Sequence, residues 1–138
     1  MSSFNVSSTE IPVVGGILSK AAEAAMSEGA VVLAGSDFDT IALPAGAGAT
    51  GILGVARNAA LAAGDRVSVM TMGQANVLLA ASASCTEGAP VIAANSSGHI
   101  KGWTNETACD VLGTAMVTRT AGSSAEMVPV LLRVYQKT

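Results

Sequence analysis

Short apolar or alternating runs, separated by turns that contain glycine, follow one another along most of this sequence. Such runs predict β-strands, because alternation places one face on a core, and glycine, Asp, Asn and Ser favour the turns between strands. Many short strands with frequent turns indicate an all-β sandwich or barrel. The predicted strands are Ala30–Ala34, Thr40–Leu43, Gly51–Ala56, Arg66–Met72, Asn76–Ala80, Pro90–Ala93, Ile100–Trp103, Val111–Val117 and Met127–Tyr135.

The N-terminal part of the chain departs from this pattern. Met1–Thr9 is polar and rich in Ser, and we expect a flexible N-terminal arm over residues 1–14, followed by a single β-rich domain over residues 15–138. Ser19–Glu28 is the best helix candidate, because it contains strong helix formers and ends before Gly29. An exposed turn or an extended lead-in fits this segment equally, so we expect at most one short helix.

Proline and glycine positions give further expectations. Pro90 and Pro129 should lie at sheet edges or at strand starts, because proline cannot donate a ladder hydrogen bond. Gly64 and Gly88 should occupy left-handed turn positions, and the Asp65 carboxylate should accept from a turn amide. Similar phrases recur along the chain, which indicates repeated hairpins within one domain; they are Glu28-Gly29-Ala30-Val31, Gly64-Asp65-Arg66-Val67, Glu87-Gly88-Ala89-Pro90, Leu53-Gly54-Val55-Ala56 and Leu112-Gly113-Thr114-Ala115.

Composition excludes several classes of protein. Lys and Arg number seven, are not clustered, and leave a net charge of −3, which argues against nucleic-acid binding. No apolar run is long enough to span a bilayer, and no Lys or Arg precedes Lys20, so we expect neither a membrane partner nor a signal peptide. Cys85 and Cys109 are too few for a disulfide scaffold and should be free thiols. A core of mostly Ala and Val stabilises a subunit only modestly, which favours oligomerisation.

The sequence offers no convincing catalytic, cofactor or metal residues. Gly46–Gly51 is formally a G-x-G-x-x-G motif, but Pro44 interrupts its approach and no later βαβ units follow, so a loop between strands is favoured. His99 is the sole histidine and should be a turn residue, and no ligand spacing suggests a metal site. We therefore expect a protein that is not an enzyme and that acts through its surface.

Taken in order, the pattern of turn glycines and strand valines resembles that of the small head-decoration, or cement, proteins of tailed bacteriophages. The resemblance covers about Ser27 to Val134; the Ala-rich segment Ser19–Met26 and the polar insert Thr104–Asp110 depart from it. It is carried by Glu28-Gly29-Ala30-Val31-Val32, Gly54-Val55-Ala56, Ala63-Gly64-Asp65-Arg66-Val67-Ser68-Val69, Gly73, Glu87-Gly88-Ala89-Pro90-Val91, Ser97-Gly98, Leu112-Gly113-Thr114-Ala115 and Val128-Pro129-Val130-Leu131-Leu132.

The resemblance implies a β-tulip type of subunit that forms homotrimers on the outer capsid surface, made in the host cytoplasm, and stabilises contacts between major capsid proteins. The expected capsid contacts lie in the arm, at Phe4, Val6, Ile11, Pro12 and Val13. The expected trimer interface lies on the last strand, at Val128, Val130, Leu132 and Val134.

Two alternatives stay open at this point. One is a small nucleotide-binding or enzymatic domain that uses the Gly46–Gly51 loop. The other is a trimeric β interaction module of a tail or fibre.

Overall fold

The computed structural model describes residues 17–137, and these residues form strands and turns without a helix. Most of the strands close into two rings of five, and a short two-stranded pair completes the fold. The all-β, barrel-like prediction is therefore confirmed. The first barrel contains β1 (Ile17–Ala22), β2 (Val31–Ala34), β3 (Thr40–Ala42), β4 (Ile52–Ala56) and β5 (Arg66–Met70). The second contains β6 (Gly73–Leu79), β8 (Pro90–Ala93), β9 (Ile100–Gly102), β10 (Cys109–Ala115) and β12 (Glu126–Lys137), and β7 (Ser84–Cys85) pairs with β11 (Arg119–Thr120).

The two barrels share one topology. The strand order around the first ring is β1-β3-β2-β4-β5, and the order around the second is β6-β9-β8-β10-β12. In each ring one neighbouring pair is parallel, β1 with β3 and β6 with β9, and the others are antiparallel. Each ring also has a register shift at the corresponding pair of strands, β2 with β4 in the first ring and β8 with β10 in the second. The chain is thus built as a duplicated five-stranded barrel.

Two pairs of the echoed phrases occupy matching places in the two barrels, Glu28–Val31 with Glu87–Pro90 and Leu53–Ala56 with Leu112–Ala115, whereas Gly64–Val67 leads into β5 and has no echo in the second barrel. The amide of Gly29 donates to the carbonyl of Ala56 at 2.8 Å, and the amide of Gly88 donates to the carbonyl of Ala115 at the same distance. Both glycines have positive φ, 85° and 83°, as left-handed turn positions require. The predicted hairpin repeat was thus too small, because the repeating unit is the whole barrel.

The largest apolar cluster joins the two barrels. It includes Val31 and Val55 from the first barrel and Leu79, Ile100 and Leu112 from the second, and each is at most 1% exposed. A separate cluster fills the first barrel around Val32, Ile41, Val67 and Val69. Burial of each such side chain stabilises the fold by about 1.5 to 3 kcal/mol, so the two rings support each other through a shared interior.

Ser19–Glu28, the best helix candidate, forms no helix, and the extended alternative holds for its first residues. Its first half belongs to β1, which pairs with both β3 and β5. Beyond β1, Met26 forms a bridge with Ala60 through two backbone hydrogen bonds of 3.0 and 2.9 Å. Ladder pairing on two sides and burial of Ala22 and Met26 override the local helix preference of Ala, Lys and Glu.

The proline prediction is half right. Pro90 is the first residue of β8, as expected. Pro129 lies instead inside β12, a strand with neighbours on both sides. Its carbonyl accepts from the Met116 amide at 3.0 Å, just beyond the pair Ala115–Val130 that ends β10. The missing amide therefore falls at the end of a ladder, where it removes a single hydrogen bond.

Candidate interaction surfaces

Residues 17–137 contain no group of three or more His, Cys, Asp or Glu side chains that could hold a metal ion. The same residues contain no helix that could cross a membrane. Cys85 and Cys109 are both buried and form no disulfide with each other, and burial raises the pKa of the Cys85 thiol. His99 lies in the β8–β9 turn, with its Nδ1 atom 3.3 Å from the Asn95 side-chain nitrogen.

The Gly46–Gly51 loop connects β3 to β4, and no helix follows it. Two of its amides, and the amide of the residue that follows it, already have partners within the chain. The Gly48 amide donates to the Ala93 carbonyl at 2.9 Å, and the amides of Gly51 and Ile52 both donate to the Asp110 carboxylate, at 2.7 and 3.0 Å. A phosphate cradle needs free amides at the start of a helix, so this geometry disfavours the nucleotide-binding alternative.

The strand expected to form a trimer interface is β12. Val128, Val130 and Leu132 are 2%, 0% and 3% exposed and pack in the core that the two barrels share, with Val134 partly buried against it. Because successive side chains on a strand point to opposite faces, a contact with another molecule through β12 would use the residues between them. The trimer interface itself stays a prediction.

The outward side chains of β12 form a partly apolar surface, which we call the β12 face: Met127, Pro129 and Leu131. Met127 is 45% exposed and Leu131 is 47% exposed. Met116 follows β10 on one side and is 41% exposed. On the other side, Gln74 is the partner of Leu131 in the β6–β12 ladder. Exposed apolar rows with a polar border are typical of surfaces that contact other proteins.

A cleft of about 250 Å³ lies between the two barrels. Its lining combines apolar residues such as Val55 and Met70 with the charged residues Glu28 and Arg57. Gln74 and Asn76 of β6 also line it, so the cleft is continuous with the border of the β12 face.

The predicted capsid contacts at Phe4, Val6, Ile11, Pro12 and Val13 lie outside the described residues. The described chain begins at Ile17, which is the partner of Met70 in the β1–β5 ladder.

The turn between β2 and β3 presents Phe38, which is 87% exposed. A network of hydrogen bonds fixes the backbone around it. The Glu23 carboxylate accepts from the Ser36 amide at 2.5 Å, the Ser36 hydroxyl at 2.6 Å and the Thr40 hydroxyl at 2.9 Å. The hydrogen bonds from Ser36 and Thr40 hold the pKa of Glu23 below its usual value. Lys20 Nζ also donates to the Phe38 carbonyl.

Arg66 joins this turn to the start of β5. Its guanidinium contacts both carboxylate oxygens of Asp39, at 2.8 and 3.2 Å, and donates to the Ser19 carbonyl at 3.0 Å. The hydrogen bond from Arg66 lowers the pKa of Asp39. Bidentate contacts of this kind fix the relative orientation of the two groups.

A second turn, between β4 and β5, presents Leu61, which is 88% exposed. The Asp65 carboxylate accepts from the amides of Leu61 and Ala62, at 2.9 and 3.2 Å, and Gly64 has a φ of 94°. The predictions that Gly64 and Gly88 are left-handed and that Asp65 binds turn amides are therefore confirmed.

Sequence reasoning did not select Phe38 or Leu61. Phe38 was visible only as part of Asp37-Phe38-Asp39, a pattern that a hairpin turn explains, and Leu61 stands in an alanine run that suggests a helix. The usable signal was compositional: Phe38 is one of two phenylalanines in the chain, and it falls in a predicted turn, where an apolar ring gains nothing from the fold.

Comparison with known proteins adds two findings. The sequence matches the family model of phage cement proteins over residues 10–132. The fold is similar to the crystal structure of the head fibre gp8.5 N base of bacteriophage phi29, with a TM-score of 0.61 and 16% sequence identity over 85% of this chain and 92% of that chain. At this identity the likeness shows the fold alone. A search of curated proteins gave no match to this sequence.

Proposed function

Because the family model of phage cement proteins matches most of the chain, the chain belongs to that family, and we propose that it binds the outer capsid surface as a homotrimer and stabilises contacts between major capsid proteins. The match over residues 10–132 is the observation that carries this proposal. It confirms the resemblance found in the sequence. Members of the family are structural phage proteins, which is not an enzyme class, and the family implies a structural role on the capsid of the virion.

Three details of the proposal go beyond the family. The partners are the major capsid protein and further copies of this chain, with no nucleic acid and no membrane. The low content of basic residues and the net charge of −3 support the absence of a nucleic-acid partner. Synthesis takes place in the host cytoplasm, and the chain performs no catalysis.

The trimer proposal uses β12, the strand that carries Val128, Val130, Leu132 and Val134. Burial of these side chains in the subunit leaves the β12 face to supply the contact. Leu131→Asp should shift the protein from trimer to monomer in light scattering, because a carboxylate would be buried in an apolar contact. Ala47→Asp, at an exposed position of the loop between β3 and β4 in the first barrel, is the control and should stay trimeric. A wild-type protein that is monomeric at every concentration would exclude the trimer.

The arm proposal keeps the expected capsid contacts at Phe4, Val6, Ile11, Pro12 and Val13. An extended segment can bind along a sheet edge of a partner through main-chain hydrogen bonds, and three arms on one trimer would multiply the affinity by roughly 10² to 10⁴. Deletion of Met1–Thr9 should leave the melting temperature unchanged and weaken binding to heads. Full affinity after this deletion would move the contact to the barrels.

Co-sedimentation of the purified protein with undecorated heads of its own phage tests the function directly. We expect saturable binding and a higher temperature of head disruption in the decorated sample, because a ligand that binds only the assembled state stabilises it by mass action. Purified protein that does not sediment with heads would refute the proposal.

A second candidate is the base of a head fibre, favoured by the likeness to the phi29 head fibre base. The same experiment separates the two functions. A cement protein that bridges neighbouring capsid proteins raises the temperature at which heads break, whereas a fibre base that binds one capsid protein equally well in the free and the assembled state leaves that temperature unchanged.

A further inference from the structure

Phe38 and Leu61 have the highest exposed fractions among the large apolar side chains of residues 17–137, 87% and 88%. Both lie at one end of the first barrel. The carbonyl of Asp39, next to Phe38, accepts from the Ala21 amide at 2.7 Å, and the carbonyl of Asp65 accepts from the following amide of β1 at 2.9 Å. The two turns therefore flank the same end of β1.

The contacts described above make this end rigid. The Phe38 turn is braced by the Glu23 carboxylate, the Leu61 turn by the Asp65 carboxylate, and the pair Asp39–Arg66 ties one turn to the other. An exposed side chain on a fixed backbone loses little conformational entropy when it docks, which favours binding. These turns thus hold two apolar side chains in place without burying them.

The duplicated barrel provides an internal comparison. The bridge between Met26 and Ala60 corresponds to the pair Cys85–Arg119, so Leu61 corresponds in position to Thr120, one residue further along. The β2–β3 turn corresponds to the β8–β9 turn, because the Gly35 amide donates to the Thr40 carbonyl in one and the Ala94 amide donates to the His99 carbonyl in the other. Phe38 then corresponds to Ser97.

Both counterparts are exposed hydroxyl residues. The barrel fold therefore accepts a polar residue at each of these two places. A contact outside the chain would explain Phe38 and Leu61, since neither side chain is needed by the interior.

We propose that this end of the first barrel, with Phe38 and Leu61 as its anchors, docks into apolar depressions on the outer surface of the capsid shell. The inference rests on the proposed function and names the surface that carries it out. Aromatic and aliphatic side chains that fill a pocket on a partner commonly carry most of the binding free energy. The nearby charges are largely paired within the chain, so the contact is apolar in character.

The size of the surface favours the shell over a second copy of this chain. Phe38, Leu61 and their neighbours expose roughly 300 to 400 Å² of apolar area, whereas a stable pair of proteins needs about 800 Å² on each partner. A contact this small is effective when it is repeated in many copies on one lattice and assisted by a second attachment.

The test replaces each anchor by the residue type at the corresponding position of the second barrel, giving the variants Phe38→Ser and Leu61→Thr and the double variant. Met72→Thr is the control. Met72 is 60% exposed and lies between β5 and β6 rather than at this end. Circular dichroism melting and light scattering verify that fold and oligomeric state are unchanged. Affinity is then measured by co-sedimentation with undecorated heads at low and high salt.

We expect each single variant to bind at least tenfold more weakly, because loss of a pocket-filling anchor commonly removes more than one tenfold step in affinity. The loss should persist in high salt, which screens charges but leaves apolar contacts intact. The control should bind as the wild type does. A double variant that decorates heads with wild-type affinity overturns the inference while leaving the proposed function intact. A double variant that changes the oligomeric state assigns the surface to a contact between copies and also overturns it. Failure of the wild type to bind heads refutes the proposed function itself.

Discussion

Gly54 and Gly113 occupy the same place in the two barrels, and we predict that Ala at either position destabilises the protein strongly. A Cβ atom on Gly113 would lie far inside the van der Waals contact distance of the Leu131 carbonyl oxygen and 2.9 Å from the carbonyl carbon. A Cβ atom on Gly54 would overlap the Met70 carbonyl in the same way, 3.0 Å from its carbon. Both obstacles are backbone of the paired strand, which cannot rotate aside.

The expected cost follows from what must move. Overpacking of a dense interior costs about 1 to 3 kcal/mol, and separation of the strands adds about 1 kcal/mol for each ladder hydrogen bond that is weakened. Ala recovers roughly 0.5 to 1 kcal/mol because it is less flexible than glycine in the unfolded chain. We therefore expect each variant to lose about 3 kcal/mol, which corresponds to about 10 °C in melting temperature for a chain of this length.

Urea denaturation of Gly54→Ala, Gly113→Ala and the control Gly46→Ala measures this difference. A Cβ atom on Gly46 would have no heavy atom within 4 Å, and the φ of this residue is not positive, so its variant should be as stable as the wild type or slightly more stable. A midpoint for Gly113→Ala equal to that of Gly46→Ala would refute the argument from close approach. Unequal losses at Gly54 and Gly113 would show that the two barrels are not mechanically equivalent.

Three further predictions concern charge, thiols and turn geometry. The hydrogen bond from Lys101 lowers the pKa of Glu106 to about 2, so the stabilisation by this carboxylate is fully present above pH 4.5 and is lost as the pH falls through 2. In urea titrations Glu106→Gln should cost about 1 kcal/mol at pH 7 and much less at pH 2. An equal loss at both pH values would contradict this. Cys85 and Cys109 are buried, so a thiol reagent should modify neither cysteine in the folded protein and both cysteines after denaturation. Rapid labelling of the native protein would contradict this and would show that the core opens. Gly64→Val should cost about 1 kcal/mol or more, because φ is positive there; the space around this residue is open, so the cost comes from the backbone alone. Thermal melting of this variant measures the cost. An unchanged melting temperature would mean that the turn relaxes.

Strand positions were largely predictable because their pattern is local. Alternation at Val67 and Val69 and the turn residues around each run are visible without knowledge of partners, and β8 begins and ends at the predicted residues. The strand β1 was not predictable, because its Ala and Lys residues favour a helix until β3 and β5 pair with it. Pro129 misled for the same reason, since only the tertiary structure reveals that β10 has ended beside it.

The interaction surfaces were less predictable than the fold. Alternation correctly grouped Val128, Val130 and Leu132 on one face of a strand, but a sequence pattern does not distinguish a subunit interior from a contact between subunits. Leu61 was hidden in an alanine run, and its exposure depends on the Met26–Ala60 bridge, which joins distant parts of the chain. Phe38 became informative only when its counterpart in the second barrel was known to be Ser97.

Ring closure has a consequence for how copies of this chain behave when they are concentrated. Every strand of the two five-stranded sheets has a hydrogen-bonded neighbour on both sides, so these sheets offer no open edge on which another copy could grow. Open edges are the usual starting points of aggregation among newly made β-proteins. Closed rings therefore let copies of this chain meet at high concentration without templating fibrils through these two sheets.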